Sequence, residues 1–176
     1  MEIATYLLGL LGVLGAVDIV CYHAVAHGIR SHQESAKELL CHSLRGPTYA
    51  LLFVLIPNYR MEGFFAWGLL ALLVFDVSIS VWDFWLEQDS RRFLGGLPSG
   101  EYVLHMMMAM VFGAMVAMLV YLAGSSLLAP TRVVYVPAVN AGLRLVMLIM
   151  AILVLMSGVQ DAVAAFKLTR ARPKNP

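Results

Sequence analysis

Residues 63–88 read GFFAWGLLALLVFDVSISVWDFWLEQ. The stretch is long enough to cross a bilayer as a helix and carries only three charges, Asp76, Asp83 and Glu87. Asp83 and Glu87 are four residues apart, so on a helix they share one face, one turn from each other. A membrane helix with a two-rung acidic ladder at one end sets the frame for the rest of the chain.

Working outward, apolar runs of similar length recur. They predict five transmembrane helices at about 3–29, 38–57, 63–88, 100–124 and 139–167. The second is the least regular, because Arg45, Gly46 and Pro47 interrupt it. The first reads as a span and not as a cleaved signal peptide, since it opens on Glu2 and lacks a basic leader. Of the whole chain 61% is hydrophobic and 13% charged, with a mean hydropathy of +0.81, far from the balance of a soluble domain. The expected fold is an all-α integral membrane protein, one bundle over residues 1–176 with a basic tail at 168–176.

Basic residues set the orientation. With alternating helices, Arg30, Lys37, Arg45, Arg91, Arg92, Lys167, Arg170, Arg172 and Lys174 fall on one side. Arg60, Arg132 and Arg144 fall on the other. The positive-inside rule then places the N-terminus outside and the C-terminus in the cytoplasm. The expected location is the inner (plasma) membrane of a bacterium. A formal net charge of +1 excludes nucleic-acid binding as a main role.

Asp83 and Glu87 are one of four such pairs. The others are His23 and His27, Glu38 and His42, and Glu101 and His105. Counted inward from Arg30, Lys37, Arg91 and Pro98, the pairs form two layers. His27, Glu38, Glu87 and Glu101 lie in the outer one. His23, His42, Asp83 and His105 lie roughly 6 Å deeper, at about 1.5 Å of rise per residue. Neighbouring helices stand about 8–10 Å apart, close enough for all four ladders to converge. Imidazoles and carboxylates together suit first-row transition metals, and carboxylates bridge ion pairs in soluble di-iron bundles. The inner four are expected ligands; the outer four serve a second ion or orient the inner imidazoles. Asp83 and Glu101 are the expected catalytic carboxylates.

Asp18 and Asp76 fall deeper still and read as a proton relay, with Asp161 as a further ligand or an orienting partner for an imidazole. Trp82 and Phe84 beside Asp83 are candidates for a slot that takes an apolar substrate. Arg91 and Arg92, read as part of the loop over the site, are candidates for a headgroup clamp. The Met106-Met107-Met108 run points in three directions on a helix and reads as packing, not as a copper site. Cys21 and Cys41 are expected to be buried free thiols.

The His-x-x-x-His segment at His23 and His27 resembles the first histidine box of membrane desaturases and hydroxylases, which carry di-iron centres at the cytoplasmic face. The later His-x-x-His-His boxes of that family are absent here. The segment is also similar to one in membrane zinc hydrolases of the ceramidase and adiponectin-receptor type, which have seven helices. No residue role carries over from either. From the ligand types, the expected function is a metalloenzyme that hydroxylates or desaturates a lipid or other apolar molecule at a site holding two iron ions. The alternatives are a zinc-dependent lipid hydrolase, a metal-ion or proton transporter, and a haem-binding electron carrier, the last disfavoured by the surplus of polar groups. An electron-donor protein at the cytoplasmic face and a homo-oligomeric assembly are the further partners compatible with this reading.

Overall fold

The computed structural model describes residues 1–170. Five long helices account for most of them: α1 (Glu2–Asp18), α2 (Ala36–Leu55), α3 (Phe64–Arg92), α4 (Ser99–Ala123) and α5 (Ala141–Arg170). α1 continues without a break as a π-helical segment, Ile19–Ala26. Four helices are long and apolar enough to cross a membrane: Glu2–Ala26, Phe64–Arg92, Ser99–Ala123 and Ala141–Arg170. α2 is the exception because its first half is polar, with Lys37, Glu38, His42 and Arg45.

Turn chemistry places the helix ends. Gly28, at φ 56°, takes the left-handed conformation that stops the π segment. Gly95 and Gly96, at φ 98° and 90°, turn the chain from α3 toward Pro98 and the start of α4. α3 reaches Arg92, four residues beyond the expected end, so Arg91 belongs to the helix and not to the loop. α2 runs straight through Arg45, Gly46 and Pro47. Packing overrides the local break: α2 makes its most extensive contact with α5, and Gly46 meets Gly158 backbone to backbone. Small residues allow such close crossings in membrane bundles.

One feature departs from an all-helical chain. Tyr59–Glu62 (β1) pairs antiparallel with Arg132–Tyr135 (β2), with Tyr59 opposite Tyr135 and Glu62 opposite Arg132. This ribbon joins the α2–α3 and α4–α5 connections at one end of the bundle. Four-residue strands leave too little periodicity to be seen in sequence. Arg132 donates to Glu62 across the ribbon, and Arg60 lies 2.8 Å from the same carboxylate. The Arg132 hydrogen bond holds the Glu62 carboxyl below its usual range. A depressed carboxylate stabilises above its unfolded pKa, so this tie weakens only as pH falls into the acid range.

The interior is divided along its length. Toward the ribbon it is apolar, with Leu8, Leu52, Phe53, Leu73, Met115 and Met147 all buried together. Toward the other end the buried stripe on α3 turns polar, from Leu69 and Leu73 to Asp76, Asp83, Glu87 and Arg91. The Gly46–Gly158 crossing leads to a direct test. A Cβ on Gly46 would stand 2.9 Å from the Gly158 Cα, so Gly46→Val is expected to destabilise by about 1–3 kcal/mol. Thermal unfolding in detergent measures it, and an unchanged midpoint would refute the contact.

Candidate metal centre

The four ladders do face one another at the end away from the ribbon. His23, His27, Glu38, Asp83, Glu87 and Glu101 are buried, and His42 and His105 are nearly so. The rings of His23 and His42 stack in parallel, 4.7 Å between centroids and 8° between planes. His105 stands edge-on to His23 at 6.5 Å.

Each imidazole meets a carboxylate. His105 has one on both ring nitrogens, Glu87 at 3.2 Å from Nδ1 and Asp18 at 3.1 Å from Nε2. His27 Nε2 lies 2.8 Å from Glu101 Oε2, and His42 Nε2 lies 3.4 Å from Asp83 Oδ1. His23 Nε2 is different. It sits 3.2 Å from Asp18 Oδ2 and 4.0 Å from Glu101 Oε1, yet among the described residues it has no hydrogen-bond partner. His27 Nδ1, Asp83 Oδ1 and both Asp76 oxygens are likewise buried without a hydrogen-bond partner, and such atoms call for an explanation.

Two clusters have donor atoms close enough to share an ion. In one, atoms of Asp18, His23, Glu101 and His105 all lie within 4.8 Å of one another. In the other, the same holds for His23, Glu38 and His42. His23 belongs to both, and Asp83 adjoins the second through His42.

Several expected positions change. Asp18, expected deeper than the cluster, contacts His23 and His105 directly. The reason is the π segment that begins at Ile19. Its wider turn closes i→i+5, which stacks His23 over Asp18, whereas α-helical counting puts them on different faces. Asp161 is paired with Arg30, whose Nε donates to it at 2.6 Å, and not with an imidazole. Arg30 also donates to Gln160 and Ser157. Asp76 is fully buried, and its nearest charged partner is Arg45 Nε at 3.5 Å.

Arg91 is the largest correction. It is a fully buried cation and not a headgroup clamp. It donates to Glu101 Oε1 at 2.7 Å and 3.1 Å and to Glu38 Oε2 at 2.7 Å, with Glu87 Oε1 at 3.7 Å. Glu38, Glu87 and Glu101 are thus gathered around a guanidinium. Arg92 is exposed. Trp82 faces outward, 44% exposed, while Phe84 lies against His105 with centroids 5.6 Å apart. Cys41 is buried but Cys21 is exposed. Met106, Met107 and Met110 point out of the bundle, away from the cluster.

Arg45 is the member of the cluster that sequence reading missed. It donates to Asp83 Oδ2 at 3.4 Å and to the Tyr49 hydroxyl at 3.3 Å. The signal was present: Glu38, His42, Arg45 and Tyr49 recur at helical spacing on one face of α2. The Gly46-Pro47 pair masked it by suggesting that the helix stopped there.

Comparison with family models, with curated proteins and with solved structures yields no match.

Breaking a buried ion network by removing one partner is strongly destabilising, because the remaining charges lose their compensation. Arg91→Ala is therefore expected to cost about 3–5 kcal/mol, against less than about 0.5 kcal/mol for the exposed Arg92→Ala. Arg91→Lys restores only part, since one ammonium cannot reproduce the planar fork. Unfolding in detergent compares the three, and equal stability of the Arg91 and Arg92 variants would contradict a structural role for the network.

Proposed function

We propose that the chain is an integral-membrane metalloenzyme whose centre, bounded by Asp18, His23, His42, Asp83, Glu101 and His105, oxidises a lipid or other apolar substrate. The observation that carries this reading is His23 Nε2, an unpartnered imidazole nitrogen among Asp18, Glu101 and His105. A metal ion satisfies it.

Charge balance supports more than one ion. Asp18, Glu38, Asp76, Asp83, Glu87 and Glu101 are buried together, and among the described residues only Arg45 and Arg91 stand with them as permanent cations. Written as carboxylates, the six acids leave four formal negative charges, which two divalent ions cancel. Uncompensated charge of that size inside a membrane is costly. The donor set is oxygen-rich with imidazole nitrogen, which suits iron, manganese or zinc and not Cu(I). Iron fits the oxidative reading. A bound iron centre supplies activation of dioxygen, and hydroxylation puts one oxygen atom into a C–H bond while the other leaves as water. That balance takes two electrons and two protons, which an electron-donor protein on the cytoplasmic side provides. The chain's own part is to hold the ions, through imidazoles oriented by Asp18, Glu87 and Glu101.

The topology belongs to the same proposal. α2 has twenty residues, about 30 Å of helix, and packs along α5 and α3. We take it as a fifth crossing whose polar face is sheltered by its neighbours. The N-terminus then lies outside, and the metal centre lies near the cytoplasmic face. Arg45 and Arg91 leave the orientation count, since both point inward. Arg30, Lys37, Arg92, Lys167 and Arg170 still outnumber Arg60, Arg132 and Arg144. Arg172 and Lys174, counted on the same side, lie outside the described residues. A reporter fused after residue 176 should be active only in the cytoplasm.

Elemental analysis of protein purified aerobically should find two transition-metal ions per chain, iron predominating, with visible absorption. His23→Ala is expected to lose both, because His23 is common to both clusters, whereas Asp83→Ala should lose the ion beside His42 alone. Metal-free wild-type protein would sink the reading. Zinc as the sole metal, with cleavage of a lipid ester or amide in the absence of oxygen, would replace oxidation by hydrolysis.

A further inference from the structure

The substrate side of the centre does not lie where aromatic and basic residues first suggested. Arg91 is enclosed and Trp82 faces away from the cluster. The bundle is open instead along the seam between the π segment and the second half of α5. A cleft of about 210 Å³ sits there, walled by Ile19, Ala24 and Ile29, with His23 in its lining and Arg30 and Asp161 at its rim. Arg30 also lines an adjoining, more open groove of about 460 Å³ that follows α5 through Val159 and Val163 to Lys167. Arg30 is a wall common to both spaces, so Lys167 stands at the outer end of the path they mark and His23 in the lining of its inner end.

The path is amphipathic in a defined order. Val159, Val163 and Lys167 follow one another at i, i+4 and i+8, a single row on α5. Val159 and Val163 are about half exposed, an apolar slot open to the side. Arg30 is held rigidly by Asp161, Gln160 and Ser157. These bonds use three of the five N–H donors of a guanidinium. Since Asp161 neutralises Arg30, Lys167 carries the unbalanced positive charge at the mouth.

The geometry points to a binding site for an anionic membrane lipid, with its headgroup at Lys167 and one acyl chain laid along Val163 and Val159, past the neutralised Arg30, toward the cleft at His23. A headgroup with phosphate or carboxylate oxygens matches the uncompensated lysine at the mouth. The occupant comes from the surrounding leaflet, because the groove is open to the side and a second chain stays in the bilayer. Position along the chain also follows. Asp161, level with the cleft, lies six residues from Lys167, about 9 Å along the helix. The first several carbons beyond the headgroup therefore stand at His23, and the methyl end does not. Only this last consequence, which carbons react, rests on the metalloenzyme reading; lipid retention does not.

Native mass spectrometry of the full chain in detergent, titrated with phosphatidylglycerol or phosphatidylcholine, tests the site, with metal content measured on the same samples. Wild-type protein should bind phosphatidylglycerol about fivefold more tightly, the factor expected for one basic residue at the headgroup. Lys167→Gln should bring the two lipids to parity, and Lys167→Glu should reverse the preference. Ala24→Phe, which fills the cleft from an exposed position, should weaken both. Equal affinity of wild-type protein for the two lipids, or a preference that survives Lys167→Gln, would overturn the proposal. So would displacement of bound phosphatidylglycerol by equimolar palmitate, which would make a free fatty acid the occupant. Metal lost with lipid preference intact counts against the metal centre alone, and the converse counts against the lipid site alone.

Discussion

Six buried acids, with the buried Arg91 and the partly buried Arg45 among them at one end of a membrane bundle, are the constraint on which the rest of the structure depends. Carboxylates at that depth need partners, and the partners come from four different stretches of chain. Arg91 of α3 gathers Glu38 of α2 and Glu101 of α4, while His105 of α4 reaches back to Asp18 of α1. No helix satisfies its own polar face. Each is usable only in the company of the others, so the polar end specifies which helices are neighbours and at what height they sit.

The ribbon end works differently. Its core is apolar, and in lipid an apolar core gains little from burial alone, so packing and backbone pairing must hold it. The β1–β2 ribbon ties two connections distant in sequence, while the Gly46–Gly158 contact brings α2 and α5 together nearer the polar cluster, beside His42. With that end tied, the seam beside α5 falls at the opposite end, where the polar residues are. The cavities and the buried polar cluster thus share one end of the molecule.

Much of the arrangement was legible from residue spacing. The i, i+4 pairs fell on inward faces because helical periodicity is independent of what surrounds the helix, and the common depth followed from alternating direction. What escaped had specific causes. Asp18 was set too far away because the π segment changes the period at Ile19, and nothing in IVCYHAVA announces a wider turn. Arg45 was set aside because a Gly-Pro pair normally ends a helix, while here the contact with α5 carries it through. Arg91 was read as a loop cation because paired arginines before a glycine turn usually are. The same i, i+4 rule that found Glu87 would have placed it inward. The ribbon left no trace, since its pairing joins residues about seventy positions apart.

Chain order adds a consequence for biogenesis. Asp18 is bonded to His105, eighty-seven residues later. A helix made earlier is therefore completed by one made later. During synthesis Asp18 enters the membrane with no partner beyond its own helix. An acid near the middle of a span costs about 2.5–3.5 kcal/mol on insertion scales, against gains of about 0.3–0.6 kcal/mol for each strongly apolar residue. The leucines and valines of α1 must offset that cost until α4 arrives. Lipid-facing residues such as Leu10, Val13 and Val17 then serve assembly more than the finished molecule: they keep α1 in the bilayer while its carboxylate waits.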